Sequence, residues 1–389
     1  MLESPGRFAL GAPAIFDGEH FLRDHCVVIE GEHIAALLPA IDCPPGVPLK
    51  QLSTGTLAPG FVDLQVNGGG DVMLNSHPDT ETLATLQRAH RSKGTTSILP
   101  TLLSDTRSVQ EAAVAAVRSA RGTSSAGILG LHLEGPYFAP DRRGAHSADR
   151  LRHPDADDLD WLCSLNDLPV VLTLAPECIS RDALARLARS GLMLCAGHSD
   201  ASYAELEAVA ANGVQGVTHL YNAMRQLQAR EPGMVGAALT LDQLWVGIIA
   251  DGHHVHPAAI RLAFRAKPAG KLILVSDAMA TVGGSQGVCE LYGETIREVQ
   301  GRLLNRDGVL AGSAIGLIDA VRYAHKTAGL PLDEVLRMAS LYPSQIMQLE
   351  HAIGRLRAGY RADLVHFDDA FTVRDTWLAG SGLETGDKP

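Results

Sequence analysis

Side chains able to do chemistry recur in this sequence where a short apolar run gives way to glycine or a polar turn. They are Gln65 and Asn67 in FVDLQVNGGG, His132 and Glu134 in LHLEGPYF, His198 in CAGHSD and His219 in VTHLYNAM. Asp251, His253 and His254 follow in DGHHVHP, and Asp277 in LVSDAM. Taken singly each has an ordinary explanation, since a histidine at a strand end is commonly a hydrogen-bonded structural group and an aspartate there a cap or turn former. Gathered at one place they would be costly to bury unless paired or bound to a metal. Glu134, His198 and His219 supply one carboxylate and two imidazoles, the donor set of a catalytic zinc site that keeps a further position for water. Zinc is the default ion for that set, and iron, cobalt and manganese are also admitted by it. Bound water there ionises near neutrality, and Asp277 is the group to take and return its proton.

The elements that must bring these residues together are legible as period and punctuation. Eight short apolar runs, 59–66, 95–101, 127–134, 170–176, 192–198, 216–220, 244–251 and 271–277, alternate with amphipathic stretches such as 79–93, 105–121, 180–190, 202–212 and 257–266. Repeated strand–helix units of this kind predict an α/β fold, a closed (β/α)8 TIM barrel, whose chemistry gathers at the C-terminal ends of the strands. In the first run, alternation sends Asp63, Gln65 and Asn67 to one face of the strand, toward the same mouth. Both ends of the chain read differently, as short strands broken by Gly and Asp. They predict a small β-sandwich domain built from 1–57 and 353–389, with the barrel over 58–352.

Bulk properties narrow the function classes. The chain has 389 residues, a formal charge of -11 and no Lys/Arg cluster, so a nucleic-acid partner is not expected. No apolar run reaches the length of a membrane span, and MLESPGRFAL does not read as a secretory signal. Cysteines 26, 43, 163, 178, 195 and 289 contain no CxxC pair and read as reduced thiols, which predicts a cytoplasmic location.

The segments PGFVDLQVNG, LHLEGPYF, GAH, AGHSDA, THLYNAM, REPG, DGHH, SDA and LAGS, in this order, resemble those of the N-acetylglucosamine-6-phosphate deacetylases of the amidohydrolase superfamily. The resemblance runs from about residue 10 to about residue 380. It implies hydrolysis of the acetamide of N-acetyl-D-glucosamine 6-phosphate by metal-bound water. Under it Glu134, His198 and His219 are the metal ligands, Asp277 the general base and acid, and His146 the group at the amide carbonyl. Ala145, Asn222, Ala223, Leu310, Ala311 and Gly312 become sugar contacts, and His254 faces the phosphate. Arg230 of REPG corresponds to an arginine that reaches the substrate phosphate of a neighbouring subunit, which implies a homodimer. Many superfamily members carry His-x-His at the end of the first strand, where it holds a second metal. Here Gln65-Val66-Asn67 stands there, and the fourth strand, VVLTLAPE, lacks the lysine that other members carboxylate. One divalent ion per subunit is therefore expected, with Gln65 supporting its water. Rival readings are a deacetylase of another N-acetylated sugar phosphate, such as N-acetylgalactosamine 6-phosphate, another amidohydrolase of the dihydroorotase or cytosine deaminase type, and a catalytically inactive scaffold.

Overall fold

The computed structural model describes residues 6–121 and 127–383. The expected β assignments at 1–5 and 384–389 lie outside the described residues. Eight parallel strands form one sheet in sequence order: β1 Phe61–Val66, β2 Thr95–Leu103, β3 Leu131–Glu134, β4 Val170–Leu174, β5 Met193–Ala196, β6 Val214–Val217, β7 Trp245–Ile248 and β8 Leu272–Leu274. All eight coincide with the apolar runs read from the sequence, with ends shifted by a few residues. Apolar side chains of the strands join a continuous core cluster that includes Val62, Leu64, Ile98, Leu133, Leu172, Leu194, Val246 and Ile273.

The sheet closes between its first and last strands. Asp277 N–H donates to Gln65 O at 3.0 Å, and Val66 bridges Ala278 in parallel. Asp63 strengthens this seam from inside: its Oδ1 accepts from Ser276 N and Gln65 N, both at 3.2 Å. Helices cover the outside, α1 Thr80–Arg91, α2 Arg107–Arg121, α3 Ala156–Cys163, α4 Arg181–Ala188, α5 Tyr203–Ala210, α6 Gly233–Thr240 and α7 Pro257–Ala266, one between each pair of strands. Their starts are written locally. Asp79 accepts from Thr82 N, and Ser202 with Glu205 forms a reciprocal capping box, so orphan N–H groups are satisfied where each helix begins.

The two ends of the chain meet, as expected. A six-stranded sheet interleaves 14–16, 21–22 and 56–59 with 364–367, 373–378 and 381–382, and 56–59 pairs with 364–367 in antiparallel register. A four-stranded sheet of 8–11, 25–30, 33–39 and 49–51 lies with it around Leu10, Ile15, Val27, Ile29, Leu57, Leu364 and Trp377. The sequence reading of 58–352 did not include the four-stranded antiparallel sheet inserted after β8, built from 288–291, 294–299, 302–304 and 310–313. Two of its turns are two-residue loops in which both residues have positive φ, Tyr292-Gly293 and Gln300-Gly301, a geometry suited to tight hairpins. The insertion packs Leu291, Ile296 and Leu303 on Met73, Leu103 and Met279 at the barrel mouth.

Asp63 is fully buried, and its Oδ2 has no partner. Burial pushes its carboxyl up to about 7, outweighing the Ser276 and Gln65 hydrogen bonds that lower it. A carboxyl raised on folding binds more protons in the folded than in the unfolded chain between about pH 4 and pH 7. Stability must therefore fall as pH rises through that window, by up to about 4 kcal/mol from this group. Denaturant titrations of wild type and Asp63→Asn across pH 4–8 check this: the difference between the two curves should slope through the window, and parallel curves would refute it.

Candidate active site

The donor atoms of Glu134, His198 and His219 come together although the residues stand on β3 and just beyond β5 and β6. Glu134 Oε1 lies 3.0 Å from His219 Nε2 and 3.2 Å from His198 Nε2, and the two Nε2 atoms are 2.9 Å apart. The residues are 1%, 5% and 4% exposed. His198 Nδ1 lies 2.9 Å from the Arg142 carbonyl. A carbonyl only accepts, so Nδ1 carries the proton and Nε2 of the neutral ring presents a lone pair. That lone pair faces a carboxylate oxygen and another imidazole nitrogen. Lone pairs of acceptors do not hold one another; a shared cation does. Separations near 3 Å are those expected between ligands each about 2 Å from one ion. The residues fit a divalent metal, and among the described residues they are the group of His, Cys, Asp or Glu that can hold one.

Charge around this group is strongly coupled. Burial alone would raise Glu134, but the adjoining imidazoles of His198 and His219 hold its carboxyl well below the usual range. Burial lowers His198, while for His219 the attraction of Glu134 overcomes burial and raises it. The backbone is unusual as well. His198, His219 and Asp277 all have positive φ, at 49°, 33° and 52°, values that non-glycine residues rarely adopt and that cost free energy unless the surroundings enforce them.

Asp277 sits beside the group, and two amides hold one of its oxygens. Its Oδ1 accepts from Asn67 Nδ2 at 2.7 Å and from Gln65 Nε2 at 3.1 Å, and Gln65 Nε2 also reaches Glu134 Oε1 at 3.1 Å. Burial, with the Glu134 charge next, pushes the Asp277 carboxyl up to about 6. Gln65 was expected to support a metal-bound water. Its amide bridges two carboxylates, because an NH2 group between two buried carboxylate oxygens is drawn to both. Asn67, read only as a missing metal ligand, is the second half of that clamp. The sequence signal was the Gln-x-Asn alternation itself: two amides on the face where other sequences place imidazoles.

His146 is 3% exposed and packs edge-on against His198 at 4.6 Å between ring centroids. Its Nδ1 accepts from Ser104 N–H at 3.1 Å and lies 2.8 Å from Ser104 Oγ. A backbone N–H can only donate, so the neutral ring carries its proton on Nε2. Burial lowers its pKa well below the ordinary value and keeps it neutral. His146 is thus a fixed N–H donor, and Ser104, which the sequence did not point to, sets its tautomer. His132 hydrogen bonds Thr173 Oγ1 at 2.7 Å, with Thr101 Oγ1 at 3.4 Å, and stands apart from the donor atoms.

A cavity of about 320 Å³ opens over the group, lined by Asn67, Glu134, Arg142, Ala145, His146, His198, His219, Asn222, Ala223, His254, Asp277, Leu310 and Gly312, among others. His254 is oriented by Asp251, which accepts from its Nδ1 at 2.6 Å. One expected substrate contact is not brought to this cavity. Ala311 points into the apolar underside of the inserted sheet, since alternation along 310–313 sends it opposite to its neighbours. Arg230 lies exposed on the stretch 226–230, outside the cavity of its own chain. His253 and His256 are loop residues, the latter capping α7 by accepting from Ala258 N.

Comparisons with known proteins agree with this geometry. A family model described as amidohydrolase family matches residues 56–382. An N-acetylgalactosamine-6-phosphate deacetylase of Shewanella sp. (strain ANA-3) is 39% identical over 379 residues, 96% of this chain and 95% of that protein. An N-acetylglucosamine-6-phosphate deacetylase of Haemophilus influenzae is 32% identical over 381 residues, 97% of this chain and 100% of that protein. The crystal structure of an N-acetylglucosamine-6-phosphate deacetylase from Pasteurella multocida superimposes with a TM-score of 0.93 at 33% identity, covering 97% of this chain and 99% of that one. With its barrel, its site and its relatives matched over nearly the whole length, the chain belongs to the amidohydrolase family.

Proposed function

We propose that this chain is a hydrolase that removes acetate from N-acetyl-D-glucosamine 6-phosphate, leaving D-glucosamine 6-phosphate. The observation that carries the reading is the meeting of Glu134, His198 and His219 beside Asp277 at the floor of one cavity. Those three residues would hold a single divalent ion, zinc first among the candidates, which supplies Lewis acidity and makes water a nucleophile near neutral pH. With Oδ1 held by Asn67 and Gln65, Asp277 takes a proton from the attacking water through Oδ2. A carboxyl raised by burial to about 6 is well matched to accept and release a proton near neutrality. The His146 Nε2–H donates to the carbonyl oxygen as negative charge develops on it. Protonated Asp277 then hands its proton to the departing amine nitrogen, so acetate and the free amine leave and Asp277 is restored. His254 and the wall at Asn222 and Ala223 hold the sugar phosphate away from the reacting bond, and that binding energy orients the amide.

A second reading, the galactosamine epimer as substrate, is favoured by the name of the Shewanella relative at 39% identity. Acetate release from the two N-acetylhexosamine 6-phosphates, measured side by side, decides between them; release from neither would overturn both. Elemental analysis should find about one ion per chain, lost in Glu134→Gln. Asp277→Asn should keep the ion while kcat falls by about 10²–10⁴; near-normal turnover would remove Asp277 from its role.

We also infer a homodimer in which Arg230 serves the neighbouring subunit's substrate. In support, Arg230 is exposed beside Leu227, which is 52% exposed and would be covered by a second copy. Sedimentation should give twice the chain mass, and Arg230→Ala should raise KM for the phosphorylated sugar far more than for the plain one. A monomer, or equal losses on both sugars, would contradict this. The free thiols of all six cysteines support a reducing, cytoplasmic setting; among the described residues no helix is long and apolar enough to cross a membrane.

A further inference from the structure

Among the described residues, one arginine and no lysine line the active-site cavity, and that arginine is Arg142. Its Nε and Nη2 both donate to a single oxygen, Asp200 Oδ1, at 3.0 and 2.7 Å. The other oxygen of the same carboxylate, Oδ2, accepts from Arg225 Nη2 at 2.6 Å. One carboxylate is thus divided between two guanidinium groups. The nearby Glu177 is turned elsewhere, accepting from Ser199 Oγ and Asp200 N. The Arg142 side chain keeps 36% of its surface exposed, and its Nη1 has no partner among the described residues. Its main chain is fixed independently, because the Arg142 carbonyl holds Nδ1 of His198 at 2.9 Å. The residue is therefore anchored at both ends, with a free guanidinium edge beside a cavity that also presents Asn222, Ala223 and His254.

We propose that Arg142 is an in-chain contact for the substrate's phosphate, held at the cavity rim by Asp200 and Arg225. The inference rests on the sugar-phosphate reading above and deepens it. A phosphate dianion offers three acceptor oxygens, and His254, with Nδ1 given to Asp251, has one nitrogen left for it. A guanidinium edge matches phosphate oxygens in a way that no other lining side chain can. A cation at the rim also draws an anionic substrate toward the mouth before contact, an effect that salt screens.

The test is the ratio of kcat/KM for N-acetylglucosamine 6-phosphate to that for N-acetylglucosamine, in wild type, Arg142→Gln and Arg142→Lys of the metal-loaded enzyme. The glutamine variant should lower this ratio about tenfold, chiefly through KM, and lysine should recover part of the loss. Inorganic phosphate should inhibit the glutamine variant correspondingly less, and metal content should stay at the wild-type level because the Arg142 carbonyl remains. An unchanged ratio, including one in which both sugars lose activity equally, would reduce Arg142 to a structural pin for the loop and overturn the proposal alone. A wild-type enzyme that treats the two sugars alike would overturn the sugar-phosphate reading and this inference together.

Discussion

Two imidazole nitrogens and a carboxylate oxygen stand about 3 Å apart at the floor of a cavity, and the rest of the structure is arranged around that fact. With His198 Nδ1 donating to the Arg142 carbonyl, the nitrogen turned inward is an acceptor facing a carboxylate oxygen and a second imidazole nitrogen. Such a cluster is unfavourable without a positive charge at its centre and strongly favourable with one. The barrel provides what this requires: each donor sits at or just past the end of a different parallel strand, so convergence follows from closure of the sheet. His198, His219 and Asp277 all turn at positive φ, and the hydrogen-bonded seam between β1 and β8 holds the turn at Asp277 in place.

The first strand shows how one backbone frame serves a different chemistry. Where imidazoles would hold another cation, Gln65 and Asn67 present N–H groups, and these engage carboxylates in place of a metal. An amide donor is a weak substitute for an ion in charge but a good one in direction. It fixes one oxygen of Asp277 and leaves the other free for proton transfer. Ser104 does the same for His146 from the opposite side, choosing which ring nitrogen bears hydrogen. The proposed acid–base function depends on neighbours that cannot themselves exchange protons at neutral pH.

Much of this was legible in the sequence, because a barrel strand is short, apolar and ends in its functional residue. The eight runs, the ligand triad and Asp277 are all local signals of that kind. Other features were not local. Ser104 and Arg142 orient His146 and His198 through a backbone N–H and a backbone carbonyl, which every residue type possesses, so nothing in their identity announced that role. The partners of Gln65 lie 69 and 212 positions away, and only the folded barrel brings them together. The sheet inserted at 288–313 hid because its strands are three to six residues long and only partly apolar; its paired turns at Tyr292-Gly293 and Gln300-Gly301 were the readable sign. Ala311 was grouped with its neighbours by sequence adjacency, although alternation turns it away from them.

X-ray absorption at the edge of the bound metal, with anomalous diffraction from the same protein, tests the central claim most directly. One ion should appear per chain, with two nitrogen ligands and one carboxylate oxygen at about 2.0–2.2 Å, and its anomalous peak should lie between Glu134 Oε1, His198 Nε2 and His219 Nε2. A peak elsewhere, a second fully occupied ion at Gln65 and Asn67, or metal-free protein that releases acetate at full rate would contradict it.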